Sequence, residues 1–82
     1  MSSPDVFEAF RSVFAEVVPD VDVSTISLGD QPRELGANSI DRAEIITETM
    51  QKLGISVPMV TFAAADTVGD IVAIMTDEGV RV

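Results

Sequence analysis

Ser39 carries the hydroxyl best placed for chemistry. It lies in Gly36-Ala37-Asn38-Ser39-Ile40-Asp41, where a long irregular stretch runs into a helical pattern. A hydroxyl at that junction sits among unpaired amide hydrogens at the positive end of the helix dipole, where a phosphate is electrostatically favoured. Gly36 lets the chain turn sharply just before it. Serine at a helix start is also a common N-cap, so residue type and position leave two readings open: a cap, or an attachment point for a phosphate ester. Beyond it, Asp41, Glu44 and Glu48 recur at spacings of three and four, flanked by Ile40 and Thr47. Such a stripe is either a solvated face or a docking surface for basic partners. Like charges at these spacings repel slightly, so the stripe adds nothing to helix stability.

The residues that are missing exclude most other chemistry. The 82-residue chain has no Cys, which removes disulfides, thiolate nucleophiles and zinc-thiolate sites, and no His, which removes the commonest general base and metal ligand. Lys52 is the single lysine, and no spacing of acids makes an EF-hand, so no catalytic group and no metal site is expected. Fourteen acids against five bases give a formal charge of −9 and leave no basic patch for nucleic acid. Hydrophobic residues make up 46% of the chain and mean hydropathy is +0.33, which is too apolar for an acidic disordered segment. The longest apolar candidate, 57–65, is interrupted by Pro58 and Thr61 and falls short of the roughly 18 residues of a membrane span. With no secretory signal and no cysteine, a cytoplasmic location is expected.

Three stretches have helical periodicity and would position these groups. In the first, about Pro4 to Val18, residues Val6, Phe7, Phe10, Val13, Phe14 and Val17 share one face, with Ser3-Pro4 as the start and Pro19-Asp20 as the stop. The second runs from about Ile40 to Leu53. Ala43, Ile46, Met50 and Leu53 face inward, Ile45 and Thr49 lie alongside, and Gly54 ends it. The third runs from about Val68 to Glu78 over Val68, Ile71, Val72 and Met75, opened by a capping box of Thr67 and Asp70. Gly79 is its expected stop, and Asp77 and Glu78 oppose the dipole there, so the last turn is expected to fray. Ile55, Val57 and Pro58 read as extended, and Phe62 to Ala65 as one short helical turn. Nothing alternates long enough for a sheet. Pro19 to Asn38 is a long loop whose Val21, Val23, Ile26, Leu28 and Leu35 should pin it across the bundle, with a short turn near Ser24. The expected fold is all-α: a single domain over 1–82, a small bundle of three main helices and one short one, with a long first loop.

Leu35-Gly36-Ala37-Asn38-Ser39-Ile40 resembles the phosphopantetheine attachment motif of acyl carrier proteins, usually Leu-Gly-x-Asp-Ser-Leu. The similarity extends over nearly the whole chain. It takes in the acidic second helix, Ile55 to Pro58, and Thr67-Val68-Gly69-Asp70 at the start of the last helix. It implies that Ser39 receives a 4′-phosphopantetheine arm from coenzyme A through a separate phosphopantetheinyl transferase, and that the arm's thiol carries acyl groups as thioesters. Asn38 departs from the usual Asp and removes a charge beside the phosphodiester, while keeping hydrogen-bonding capacity.

Gly36 to Ile45, together with Val57 to Ala63, is further similar to the free-standing donor carriers of polyketide β-branching cassettes. There, an acyltransferase loads malonyl, a decarboxylating ketosynthase converts it to acetyl, and a hydroxymethylglutaryl-synthase-like enzyme adds the acetyl group to a β-ketone held on another carrier. The absence of Trp favours the donor over the acceptor. The resemblance implies partner recognition through Asn38, Ile40, Asp41, Arg42, Ala43, Glu44, Thr47 and Glu48. Arg42 and Ala43 belong to the subgroup pattern. The expected protein is a monomeric carrier and not an enzyme. Alternatives are a carrier for ordinary polyketide, fatty acid or peptide synthesis, and an unmodified acidic interaction module.

Overall fold

The computed structural model describes residues 3–81, with Ser3 described by its backbone alone. The capping role read for the Ser3 hydroxyl lies outside the described residues. Three helices carry the fold: α1 (Ser3–Val17), α2 (Ser39–Leu53) and α3 (Val68–Glu78). Each runs where the apolar spacing places it. They bury Val6, Phe10, Val13 and Phe14 from α1, Ile45, Ile46, Thr49 and Met50 from α2, and Val68, Ile71, Val72 and Met75 from α3. Phe10 and Phe14 pack tilted at 5.9 Å between ring centres. Burial of each such side chain contributes about 1.5–3 kcal/mol before the cost of ordering it. Thr49, the one buried polar side chain among the described residues, donates its hydroxyl to the Ile45 carbonyl one turn back at 2.6 Å.

Ala43, Leu53 and Phe7, placed on inner faces by periodicity, are only partly buried. α3 runs through Glu78. Gly79 then closes it by donating its N–H to the Met75 carbonyl at 3.1 Å. A side chain there would collide with that carbonyl and with Ile55, because the chain end folds back on the α2–α3 connection. Two short strands meet at that point. β1 (Ile55–Ser56) pairs antiparallel with β2 (Val80–Arg81), Ile55 opposite Arg81. Two residues cannot display a period-two pattern, and the pairing is non-local, so this element lies beyond sequence reading.

The long loop is pinned by side chains and by backbone. Ile26 is buried, Val21, Val23 and Leu35 are partly buried, and Leu28 is 50% exposed, contrary to its expected inward place. Leu28 instead contributes its carbonyl. Gly69 N–H donates to Leu28 O at 2.7 Å, Val68 N–H to Asp30 O at 2.8 Å and Asp70 N–H to Thr67 Oγ1 at 3.1 Å. Three amides that a helix start leaves unpaired are thus satisfied, two of them by the loop. A Cβ at residue 69 would come within 2.9 Å of Leu28 O, which is why glycine stands there. The turn expected near Ser24 is a 3₁₀ turn at Val23–Thr25, capped by Asp22. A second 3₁₀ turn, Pro32–Leu35, occupies what reads in the sequence as plain loop. It is opened by a reciprocal Gln31–Glu34 box and closed by Gly36 at φ 99°.

The short turn between α2 and α3 is a correction. It spans Met59–Phe62, not Phe62 to Ala65. Pro58, at φ −56° with an extended ψ, turns the chain into it, and Phe62 is the buried end of the turn rather than its beginning.

Candidate functional site

The start of α2 is built by Asn38. Its side-chain oxygen accepts the Asp41 N–H at 2.8 Å, and the Asp41 carboxylate accepts the Asn38 N–H at 3.3 Å. This is a capping box with asparagine in the cap and aspartate three residues on. Asn38 is therefore the N-cap, and Ser39 is the first helical residue. Of the two readings open for Ser39, the cap is excluded. Its side chain is exposed, and no hydrogen bond to its hydroxyl occurs among the described residues. The local signal was an Asn and an Asp three residues apart. Two good cap residues stand side by side at 38 and 39, and residue type alone does not separate them.

Gly36 and Ala37 aim this start. The Gly36 N–H closes the preceding turn on the Arg33 carbonyl, and Ala37, buried, donates to Pro32 O at 3.0 Å. The chain thus enters α2 with its last loop residues fixed in the protein. An open groove of 290 Å³ lies beside Ser39, lined by Gln31, Pro32, Arg33, Ala37, Asn38, Arg42, Ala65 and Asp66.

The remaining residues of the expected recognition set separate by role. Ile40 is 76% exposed, and Glu44 and Thr47 are exposed. Asp41 and Glu48 are half-buried, and Asp41 is engaged in the cap. Arg42 turns inward: one Nη2 donates to the carbonyls of Phe62 at 2.7 Å and Ala65 at 2.9 Å. Ala43 is half-buried. Arg42 thereby ties α2 to the segment after the Met59–Phe62 turn. That turn carries two residues missing from the sequence reading, Met59 at 41% and Val60 at 78% exposure. The Thr47 hydroxyl lies 3.9 Å from the Met59 sulfur, so the turn abuts α2 about 10.5 Å along the axis from Ile40. The signal was present, since Met59 and Val60 are apolar, follow Pro58 and belong to no periodic face.

Among the described residues, the acids on this face that no hydrogen bond occupies are the exposed Glu44 and the half-buried Glu48. Elsewhere, two carboxylates are held below the usual range. Asp70 accepts the backbone N–H groups of Thr67 and Asp66, and Asp22 accepts the hydroxyl and N–H of Ser24. Both serve caps.

An exposed, unengaged serine hydroxyl at the first position of a capped helix is open to modification by another enzyme. Residues 8–75 match the phosphopantetheine attachment site family, and the chain belongs to that family. It is accordingly a carrier that holds a covalent 4′-phosphopantetheine and is acted on by partner enzymes.

A relative, the polyketide biosynthesis acyl-carrier-protein AcpK of Bacillus subtilis (strain 168), is 32% identical over 78 residues, covering 95% of each chain. The fold superposes with a TM-score of 0.82 on a chain from the crystal structure of the curacin biosynthetic pathway HMG synthase in complex with acetyl donor-ACP. Identity there is 28%, over 92% of this chain and 96% of that one. The residues at the head of α2 fit such a group. The serine hydroxyl is unengaged, the backbone amides at the helix start favour an ester phosphate, and the adjoining groove is bordered by arginine. Among the described residues, no helix is long and apolar enough to cross a membrane.

Proposed function

We propose that Ser39 is the attachment residue and that the chain is the acetyl donor carrier of a polyketide β-branching system. The observation that carries the attachment is the displacement of capping to Asn38, which leaves the Ser39 hydroxyl exposed and unengaged at the first turn of α2. In the modification, Ser39 Oγ forms a bond to the phosphorus of coenzyme A that bears the pantetheine. The bond between the two phosphates breaks, adenosine 3′,5′-bisphosphate leaves, and the hydroxyl proton passes to the transferase. When bound, the arm supplies a terminal thiol, which this cysteine-free chain lacks.

The donor role is supported by the resemblance over Gly36–Ile45 and Val57–Ala63, and by the likeness to the chain in the curacin HMG synthase complex. In this reading an acyltransferase, a decarboxylating ketosynthase and an HMG-synthase-like enzyme act in turn on malonyl, then acetyl, cargo. Ile40, Glu44, Thr47 and Glu48 present the docking face, while Asn38, Asp41 and Arg42 hold its shape.

Incubation with coenzyme A and a broad-specificity transferase, followed by intact mass measurement, tests the attachment. The expected result is a single phosphopantetheine adduct that is absent from Ser39→Ala. An adduct on Ser39→Ala would overturn the assignment. The acetylated carrier is expected to turn over faster with an HMG-synthase-like enzyme than with a standard chain-extending ketosynthase. The reverse preference would assign it to ordinary polyketide or fatty acid synthesis.

A further inference from the structure

Two of the chain's five cationic residues, Arg33 and Arg42, line the groove next to Ser39, in a protein of net charge −9. The other three lie elsewhere. Arg11 is engaged with Glu8 and the Val23 carbonyl, Lys52 with Ser12, and Arg81 lies in β2. Arg42 is half-buried and uses only Nη2 for the carbonyls of Phe62 and Ala65. A guanidinium has five N–H donors, so Nε and Nη1 keep three that meet no partner among the described residues. Arg33 donates Nε to Gln31 Oε1 at 2.9 Å, which leaves both of its terminal nitrogens. Pro32, Ala37, Ala65 and Asp66 line the same groove.

We infer that this groove is a resting seat for the proximal half of the phosphopantetheine arm. Arg33 and Arg42 hold the phosphodiester, and the Pro32–Ala37–Ala65 floor receives the geminal methyl groups. The inference rests on Ser39 being the attachment residue. Asp66 repels the phosphate from its side of the groove and accepts hydrogen bonds there, which suits an amide N–H. At 290 Å³ the groove is at the small end of ligand-sized clefts, which run from about 300 to 1,000 Å³. It therefore takes part of the arm and leaves the thiol end outside, available to partner enzymes. Seating is electrostatic at one end only, so the arm leaves readily when a partner binds.

The test is nuclear magnetic resonance on holo-protein whose single adduct has been verified by mass. Cross-relaxation is expected from the arm's geminal methyls to the Ala37 and Ala65 methyls. The Arg42 Nε–H resonance should shift between apo and holo forms, and the Asp66 amide should shift with it. In R33Q, an exposed change that leaves the Arg42 anchor intact, the methyl contacts should weaken by more than half. Holo-protein whose shifts are confined to 38–41, with no methyl contacts, overturns the seat while leaving the attachment reading in place. Contacts of equal strength in R33Q overturn it as well. Failure to form any adduct overturns the attachment reading and the seat together.

Discussion

The Arg42 guanidinium reaches across from α2 to donate a hydrogen bond of 2.7 Å to the Phe62 carbonyl, twenty residues further along the chain, and a second to Ala65. One cation thereby fixes the Met59–Phe62 turn, with its exposed Met59 and Val60, against the helix that carries Ser39. The exposed apolar residues on this side of the protein, Ile40 on α2 and Met59 and Val60 on the turn, thus belong to two segments that one side chain ties together.

Arg42→Met should therefore loosen the turn more than it changes surface charge. Hydrogen bonds from a charged donor contribute about 1.5–3 kcal/mol each, and the part-buried setting makes a total loss of about 1–3 kcal/mol the expected outcome. Urea unfolding measures it, and amide exchange should speed up at 59–65 while the centre of α1 stays protected. Arg42→Lys should recover only part of the loss, because an ammonium does not match the planar fork.

Residue spacing reveals the helices and leaves the joins between them obscure, for a physical reason. Phe10, Phe14, Ile46 and Ile71 announce their faces through repeats of three and four over whole helices, so the bundle and its order are legible. The Met59–Phe62 turn is one turn long and has no period to read, so the sequence does not separate it from the neighbouring Phe62–Ala65. The Pro32–Leu35 turn did carry a local signal in Gln31, Pro32 and Glu34. The β1–β2 pair and the inward turn of Arg42 depend on atoms twenty or more residues away, and no local pattern encodes them. At the site, Ser39 was legible as a junction residue, but its freedom from capping became visible only through the Asn38–Asp41 pairing.

That pairing makes Asn38 testable apart from modification. Asparagine and aspartate cap helices about equally well, so the departure from the usual Asp leaves the start of α2 intact. Asn38→Ala should cost about 1 kcal/mol of stability, and Asn38→Asp only a few tenths, by thermal or urea unfolding. Asn38→Asp should also keep Ser39 modifiable by a broad-specificity transferase, since the hydroxyl stays at the first helical position. A loss from Asn38→Asp as large as that from Asn38→Ala would overturn the capping account.

Asp70 gives the α3 start a pH dependence of known sign. Its carboxylate accepts the Thr67 and Asp66 N–H groups, which hold its pKa below the ordinary value. A group lowered on folding contributes stability that is present above its unfolded pKa, about 3.9, and is lost as pH falls through the folded value. The difference in melting temperature between the wild type and Asp70→Asn should therefore be constant near neutrality and shrink below roughly pH 4. Subtracting the variant removes the effect of the other acids, whose mutual repulsion also changes as they protonate. A difference that stays constant down to the lowest pH would show that the cap works as well uncharged.

Glu44 and Glu48 separate a docking face from a merely solvated one. Neither is occupied by a hydrogen bond in the fold, and both lie along α2 on the side of Ile40 and Thr47. Reversing either charge should leave unfolding within about 0.5 kcal/mol of wild type, as for most surface substitutions. If partners approach through a complementary basic surface, Glu44→Lys or Glu48→Lys lowers the association rate several-fold at low salt, with a much smaller change in dissociation. The gap closes as ionic strength rises and the Debye length contracts to about 8 Å at 0.15 M. Ile40→Ala should behave in the opposite way. Its 76% exposed side chain carries no charge to steer an encounter, so its removal shortens the lifetime of the complex and leaves the salt dependence unchanged. Identical partner kinetics for wild type and both lysine variants at low salt would return the acidic stripe to the role of a solvated helix face.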